Sequence, residues 1–418
     1  MDFTVRYGRE EVSFSIADSR VKGVFLPRER AGLADPVAAM KEALAKPIGK
    51  PPLREMVSPG SKVAIVINDI TRVVGTDVFL PFLLDELNAA GVPDDRITAV
   101  VATGIHRGHT PEEHRYIAGE EAYSRIKIVD HDAVNAPVSY YGRTSRGTPV
   151  YINDIVAKAD FVILTGEVTY HMTAGYTGGR KSILPGVASL EAIETNHKAM
   201  VEPTATQGRL EGNVLHEDML EAARMVKPNF IFNVVLNSRR EFVQVVAGDM
   251  EQAHAEGCKL VDEMFAVNIE EKAEVVIATC GGYPKDINFY QAQKTLSNAH
   301  RAVRPGGTII LMAACPEGHG SQKFYDFMKD HSTPGEVVEA VAANFQMGHH
   351  KAYLTCRTLK EVHTILISEM PDEIVRVLMM EPAHSVEEAL ERVRARHGPD
   401  FQAYVLPEGF LTVPFVNS

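Results

Sequence analysis

The chain has 418 residues, 45% hydrophobic and 23% charged, which is the balance of an ordinary globular protein but too much chain for one core, so two or three domains are expected. A formal net charge of −12 argues against non-specific nucleic-acid binding and leaves any anionic ligand to be held by local Arg and Lys. The four cysteines (Cys258, Cys280, Cys315, Cys356) form no C-x-x-C pair, the stretch from Met1 has no apolar signal core, and no run of about 18 apolar residues occurs, so a reducing cytoplasm is expected, with no zinc finger, disulfide framework or membrane association.

In chain order, residues 3–7 and 12–16 alternate apolar and polar around Gly8-Arg9-Glu10, a hairpin pattern. Residues 34–46 read as a helix. Strand and helix then alternate: strand 62–67, helix 78–90 stopping at Gly91, strand 97–103, a helix from Thr110, strands 126–129, 161–165 and 230–236, and an amphipathic helix over 249–265. Such alternation implies βαβ units and a mostly parallel sheet, an α/β fold. A second αβ pattern begins with strand 275–278, helix 288–296 and strand 308–312. The domain boundary is placed near 266–272, giving an N-terminal αβ domain over 1–268 and a C-terminal αβ domain over 269–403. Residues 385–397 read as a charged return helix and 403–416 as a terminal strand pair.

Ligands of parallel αβ sheets bind beyond the carboxyl ends of the strands, and three polar loops lie there. Asn68-Asp69-Ile70-Thr71-Arg72 follows the first strand of the αβ run. On its residues alone it can be a plain turn with a solvated arginine. Gly104-Ile105-His106-Arg107 follows the second. His109 and His114 further on are expected only to solvate a surface helix, because Thr110-Pro111-Glu112-Glu113 is a capping box with proline at the first helical position. The third loop, Thr169 to Gly186, is far longer than the usual connection of about 4–6 residues. It carries His171, Lys181 and the glycines Gly175, Gly178 and Gly179, and a short helix ending in Asn196-His197 follows. Gly175-x-x-x-x-Arg180-Lys181-Ser182 is a poor phosphate loop: nearly ten residues separate it from the strand, and Pro185 interrupts the helix that should follow.

Tyr170-His171, Ala174-Gly-Tyr-x-Gly-Gly-x-Lys181, Pro185-Gly186 and Asn196-His197, with Asp69-x-Thr-Arg72, Gly104-x-His106-Arg107 and Tyr290-Gln291-x-x-Lys294 elsewhere, resemble the nickel-dependent lactate racemase family nearly end to end. One departure is Val73-Val74-Gly75, where many members place a proline. The resemblance implies two αβ domains with an active-site cleft between them, the tail 404–418 rejoining the first domain. It also implies a nickel(II) pincer cofactor, pyridinium-3,5-bisthiocarboxylic acid mononucleotide, linked through Lys181 as a thioamide with His197 as metal ligand. A nickel(II) held by sulfurs, carbon and one imidazole suits a square-planar site. Asp69, Ile70, Thr71 and Arg72 would embrace the cofactor. Arg72, Tyr290, Gln291 and Lys294 would bind a small 2-hydroxy acid, with His106 and His171 as the two acid/bases. Cofactor-synthesis enzymes would be maturation partners. Two rival readings stand beside this one: a pyridoxal-phosphate amino-acid racemase using Lys181, and a non-catalytic anion- or cofactor-binding protein.

Overall fold

The computed structural model describes residues 1–346 and 348–417. The chain forms two compact units. One is contiguous, Glu29–Asp262; the other joins Met1–Arg28 to the chain from Glu263 onward. Both are α/β with mostly parallel sheets, as expected from the strand–helix alternation.

The contiguous unit is built on six strands in the spatial order Phe242–Gly248, Phe230–Leu236, Phe161–Glu167, Val63–Asn68, Ile97–Ala102, Lys127–Asp130. All neighbours are parallel except the Phe242–Gly248 edge, which pairs antiparallel with Phe230–Leu236. Counted along the chain this is 3-2-1-4-5-6, a doubly wound order whose direction reverses between Val63–Asn68 and Phe161–Glu167. The central strands are continuous apolar runs, as burial on both faces demands: Val63 to Ile67 are all buried. The Thr76–Ala89 helix covers one face with Phe79, Leu80, Leu83, Leu84 and Leu87. That i, i+4 stripe places the Phe79 ring centroid 5.1 Å from that of Phe232. The helix is capped at Gly75, where φ is +76° and a Cβ would lie 2.3 Å from the Phe242 ring, a position that favours glycine.

The second unit also holds six strands, ordered Glu381–Ala383, His363–Ile367, Val303–Met312, Ala273–Thr279, Ala403–Leu406, Val21–Val24, all parallel. The expected hairpin is present as Asp2–Tyr7 with Glu10–Ser15.

Three expectations need correction. The division falls at Asp262/Glu263, in the last turn of the Gln252–Phe265 helix, not at 266–272. The tail does not rejoin the contiguous unit, nor are its strands partners: Ala403–Leu406 lies between Ala273–Thr279 and Val21–Val24, while Val413–Val416 pairs with Ala266–Ile269. Residues 1–28 follow them for the same reason, since Val21–Val24 needs Ala403–Leu406 to satisfy its backbone. The Val386–His397 helix is no free linker, because Val386, Ala389, Leu390 and Val393 are buried in the core of its own unit.

Candidate active site

The chain reversal puts two loops side by side beyond the carboxyl ends of Val63–Asn68 and Phe161–Glu167. These are the loop with Asp69 and Arg72 and the long glycine-rich loop. The long loop is not irregular throughout. Tyr170–His171 and Gly175–Tyr176 pair as a short antiparallel ladder. Both tyrosine hydroxyls donate to Asp262 Oδ1, each at 2.6 Å. Gly175 has φ +76°, and a Cβ there would sit 2.2 Å from the Arg209 carbonyl oxygen; this is a close approach that requires glycine. Gly179 to Ser182 make one 3₁₀ turn rather than the opening of an α-helix, in keeping with the rejection of a phosphate loop. The amide of Gly104 donates to the carbonyl of Gly186 at 3.1 Å, tying the His106 loop to the end of the long one.

Lys181 is partly buried, and its pKa is driven well below the ordinary lysine value, first by burial and then by the positive charges of Arg180 and Arg72. Arg180 is 1% exposed, donates to the carbonyls of Ala174 and Gly178, and pairs with no carboxylate among the described residues. Uncompensated positive charge in a poorly solvated place favours the neutral amine. An amine with a lowered pKa stays nucleophilic as pH falls. In competitive acylation of the protein, with each lysine normalised to its own rate at high pH, Lys181 is expected to keep reacting at pH values where exposed lysines have stopped. A Lys181 profile that tracks the exposed lysines would refute this picture of its surroundings.

The two histidines sit in opposite electrostatic settings. His106 is half exposed, and its Nδ1 is hydrogen-bonded to Oδ2 of the buried Asp69. Burial alone would raise the Asp69 pKa. Hydrogen bonds from His106 and Thr71, with the charge of Arg72, outweigh it and keep the carboxyl below its ordinary value. An ionised Asp69 accepts, so His106 carries its proton on Nδ1 and its Nε2 is bare when the ring is neutral. His171 is the reverse. Its Nδ1 accepts from the amide of Ala174 at 3.1 Å, so the neutral ring carries its proton on Nε2. Burial, then Lys181, Arg72, His197 and Arg180, lower the His171 pKa well below the ordinary histidine value. The same influences show Arg72, His171, Lys181 and His197 converging in one electropositive place within this unit.

His197 ends the Leu190–His197 helix, which Ser189 caps. It is buried, and its neighbour Asn196 donates from Nδ2 to Asp218 at 2.7 Å. Asp218 also accepts from the hydroxyls of Thr144 and Thr148, so the helix end is held by a buried, well-partnered carboxylate. Sequence reading missed Asp218 and Arg180. Asp218 lies 22 residues from Asn196 and 70 from Thr148, and nothing local announces that pairing.

Tyr290, Gln291 and Lys294 belong to the other unit, on the Phe289–Ala302 helix capped by Asn288. There Lys294 Nζ lies 4.7 Å from the Phe410 ring centroid. Sequence reading also missed Lys351. It is buried, donates to Gln293 at 3.1 Å and lies 5.1 Å from the Tyr290 ring centroid, and burial and then Lys294 lower its pKa to about 7. Gly281 and Gly282 are turn residues with φ +81° and +76°.

His109 and His114 correct another expectation. They do not merely solvate a helix. The His109 side chain is 1% exposed and that of His114 15%, and both bond to Asp130. The capping box of Thr110 and Glu113 is formed as expected.

Residues 7–208 match the model of the lactate racemase N-terminal domain and residues 268–413 that of the lactate racemase C-terminal domain. A lactate racemase of Thermoanaerobacterium thermosaccharolyticum is 33% identical over 417 residues, 97% of each chain. The chain belongs to the lactate racemase family. It is therefore of the isomerase class. A family relative, the lactate racemase of Lactiplantibacillus plantarum, is 35% identical over 378 residues, 88% of this chain and 89% of that one. The fold agrees with the lactate racemase apoprotein of T. thermosaccharolyticum, at a TM-score of 0.91 and 32% identity over 99% of this chain and 100% of that one. A Thermotoga maritima protein shares the fold at a TM-score of 0.64 and 18% identity, over 90% of this chain and 97% of that one. No helix among the described residues is long and apolar enough to cross a membrane.

Proposed function

We propose that the chain inverts the Cα centre of lactate or a closely related 2-hydroxy acid, using a lysine-tethered nickel-pincer nucleotide and two histidine acid/bases. The observation that carries the reading is the neutral-leaning amine of Lys181 placed with His171, His197 and Arg72 at the reversal of the sheet. A thioamide link needs a nucleophilic amine, and burial and Arg180 favour that form of Lys181. His197, buried at the end of its helix, is assigned as the imidazole ligand. Asn68 Oδ1 and Arg180 Nε are buried without a partner among the described residues, polar capacity that a polar cofactor can take up. Asp69, Ile70 and Thr71, in the turn that leads to Arg72, are assigned to hold the cofactor.

The Cα–H of an ionised 2-hydroxy acid is too weakly acidic for simple deprotonation. When bound, the cofactor supplies reversible acceptance of the Cα hydrogen with its electron pair, which turns the tetrahedral hydroxy acid into a flat 2-keto acid and back. The residues of the chain do the rest. Arg72 grips the carboxylate with its planar fork. His106 Nε2, oriented through Nδ1 by Asp69, takes the hydroxyl proton of one enantiomer. His171 serves the other. Tyr290, Gln291 and Lys294 are assigned to the same substrate, and the cofactor-synthesis enzymes to maturation. Four free, buried cysteines support a cytoplasmic setting.

Membership of an isomerase family supports turnover over a non-catalytic carrier. Intact-mass and metal analysis of protein matured with the cofactor-synthesis enzymes is expected to show one adduct on Lys181 with one nickel. An unmodified Lys181 in active protein refutes the cofactor assignment. A borohydride-reducible pyridoxal adduct there would select the rival racemase chemistry.

A further inference from the structure

Beside the Asp69 turn lies a cluster that the reaction scheme does not use. Asp130 ends the Lys127–Asp130 strand, two strands out from Val63–Asn68. Its Oδ1 accepts from His109 Nδ1 at 2.7 Å and from His114 Nε2 at 2.9 Å, and its Oδ2 accepts from the His109 amide at 2.7 Å. On the far side of the same ring, the amide of Ile70 donates to His109 Nε2 at 3.2 Å.

His109, His114 and Asp130 present ligand atoms all within 4.8 Å of one another, the spacing of a metal triad. The Ile70 amide decides against that. An N–H can donate only to a bare ring nitrogen, so Nε2 has no proton and the neutral ring carries it on Nδ1. A protonated Nδ1 is a donor to Asp130 and cannot ligate a metal. The cluster is therefore a hydrogen-bond relay that ends on a backbone amide.

That amide belongs to a significant peptide. The Asp69–Ile70 peptide unit gives its N–H to His109 and its carbonyl to the amide of Arg72 at 3.0 Å. Both ends of one rigid plane are thus fixed. The Asp69 side chain, the partner of His106, hangs from the Cα at one end of that plane, and the backbone leading to Arg72 continues from the Cα at the other. His109 also lies three residues after His106 in the same loop, whose His106 amide donates to Thr103. The loop is consequently joined to the Asp69 turn twice: side chain to side chain through His106, and ring to backbone through His109.

We propose that His109, held by Asp130, which His114 also bonds, is a positioning residue that sets the orientation of the Asp69–His106 pair and of Arg72. It rests on the acid/base reading of His106 but is testable apart from it. The first test uses the protein without cofactor. Nitrogen-15 histidine spectra, with the His109 signals assigned by their loss in His109→Gln, are expected to show Nδ1 protonated and Nε2 bare. An Nε2–H tautomer, or loss of the Nδ1 proton on stoichiometric binding of added zinc or nickel, overturns the proposal in favour of ligation.

The second test uses matured protein and both enantiomers of lactate. Glutamine can place an acceptor where Nε2 stands. Asparagine can offer a donor to Asp130 but does not reach Ile70. A misplacement of about 1 Å can cost roughly a hundredfold, so His109→Asn is expected to lose about tenfold to a hundredfold in kcat per loaded molecule. His109→Gln should stay within about threefold, on the same geometric reasoning. Equal loss of thermal stability in both variants, with kcat per loaded molecule unchanged, would reduce His109 to a fold element and overturn the proposal. Failure of His106 as a base would show instead in His106→Ala, and would leave the His109 tautomer untouched.

Discussion

Replacing His106 or His171 by alanine is expected to lower steady-state racemisation of both enantiomers by roughly 10²–10⁴-fold, the usual contribution of a positioned acid or base. In the proposed scheme each full inversion needs one histidine to take the hydroxyl proton and the other to give one back, so neither direction survives the loss of either. A single turnover is different. Conversion of one enantiomer to keto acid needs only the base on its own side. Rapid-quench measurement of keto acid from each enantiomer is expected to show one active enantiomer per variant, and a different one in His106→Ala and His171→Ala. The same surviving enantiomer in both would sink the two-base assignment. The two rings are not equivalent at rest. His106 already presents a bare Nε2. His171 must first free Nδ1 from the Ala174 amide, since a ring that takes a proton on Nε2 in place of the one it holds there must carry the other on Nδ1. Burial first, and neighbouring positive charges second, hold its pKa down; a bound carboxylate offsets the charges and so favours the protonated ring.

The second large effect concerns Arg72. Its guanidinium is exposed and makes no hydrogen bond or ion pair among the described residues, while its backbone is held by Asp69. Arg72→Ala is expected to lower kcat/KM by about 30-fold or more, which is ~2 kcal/mol and the low end for a truncated charge pair. Arg72→Lys restores charge without the planar fork and should recover only part of the loss. Lys294→Ala is expected to act in the same direction. Loading checked by intact mass separates these effects from poor maturation. Unchanged kinetics in Arg72→Ala and Lys294→Ala would mean that other groups bind the acid.

The legible parts of the molecule were those encoded locally. Val63 to Ile67 is an unbroken apolar run and Phe230 to Leu236 is apolar except for Asn233, as a strand covered on both faces needs. Thr110 to Glu113 announced its helix start, and Gly75 and Gly175 sit where a side chain has no room. The loops carrying Asp69, His106 and His171 were found because they follow such runs. What stayed hidden was pairing at a distance. Nothing near Ala403 says that its strand will lie beside Val21. Nothing near His109 says that its ring will meet an amide 39 residues earlier. Asp218 and Lys351 look like surface residues in the sequence and are buried in the structure, because the partners that make burial tolerable come from other elements.

The interleaving of the two units bears on how the protein is made. Chains emerge from the ribosome N-terminus first, at about 5–20 residues per second. Once Asp262 has emerged, every strand of the contiguous sheet is available. The other sheet must wait, because its Val21–Val24 edge is synthesised near the start and its neighbour, Ala403–Leu406, near the end. For roughly seven to thirty seconds at that rate, residues 1–28 are held without their partner strand while the contiguous unit can already assemble. Translation order therefore lets the contiguous unit form first as a nascent-chain folding intermediate, and it leaves the slow, long-range closure of the other sheet to the arrival of Ala403–Leu406.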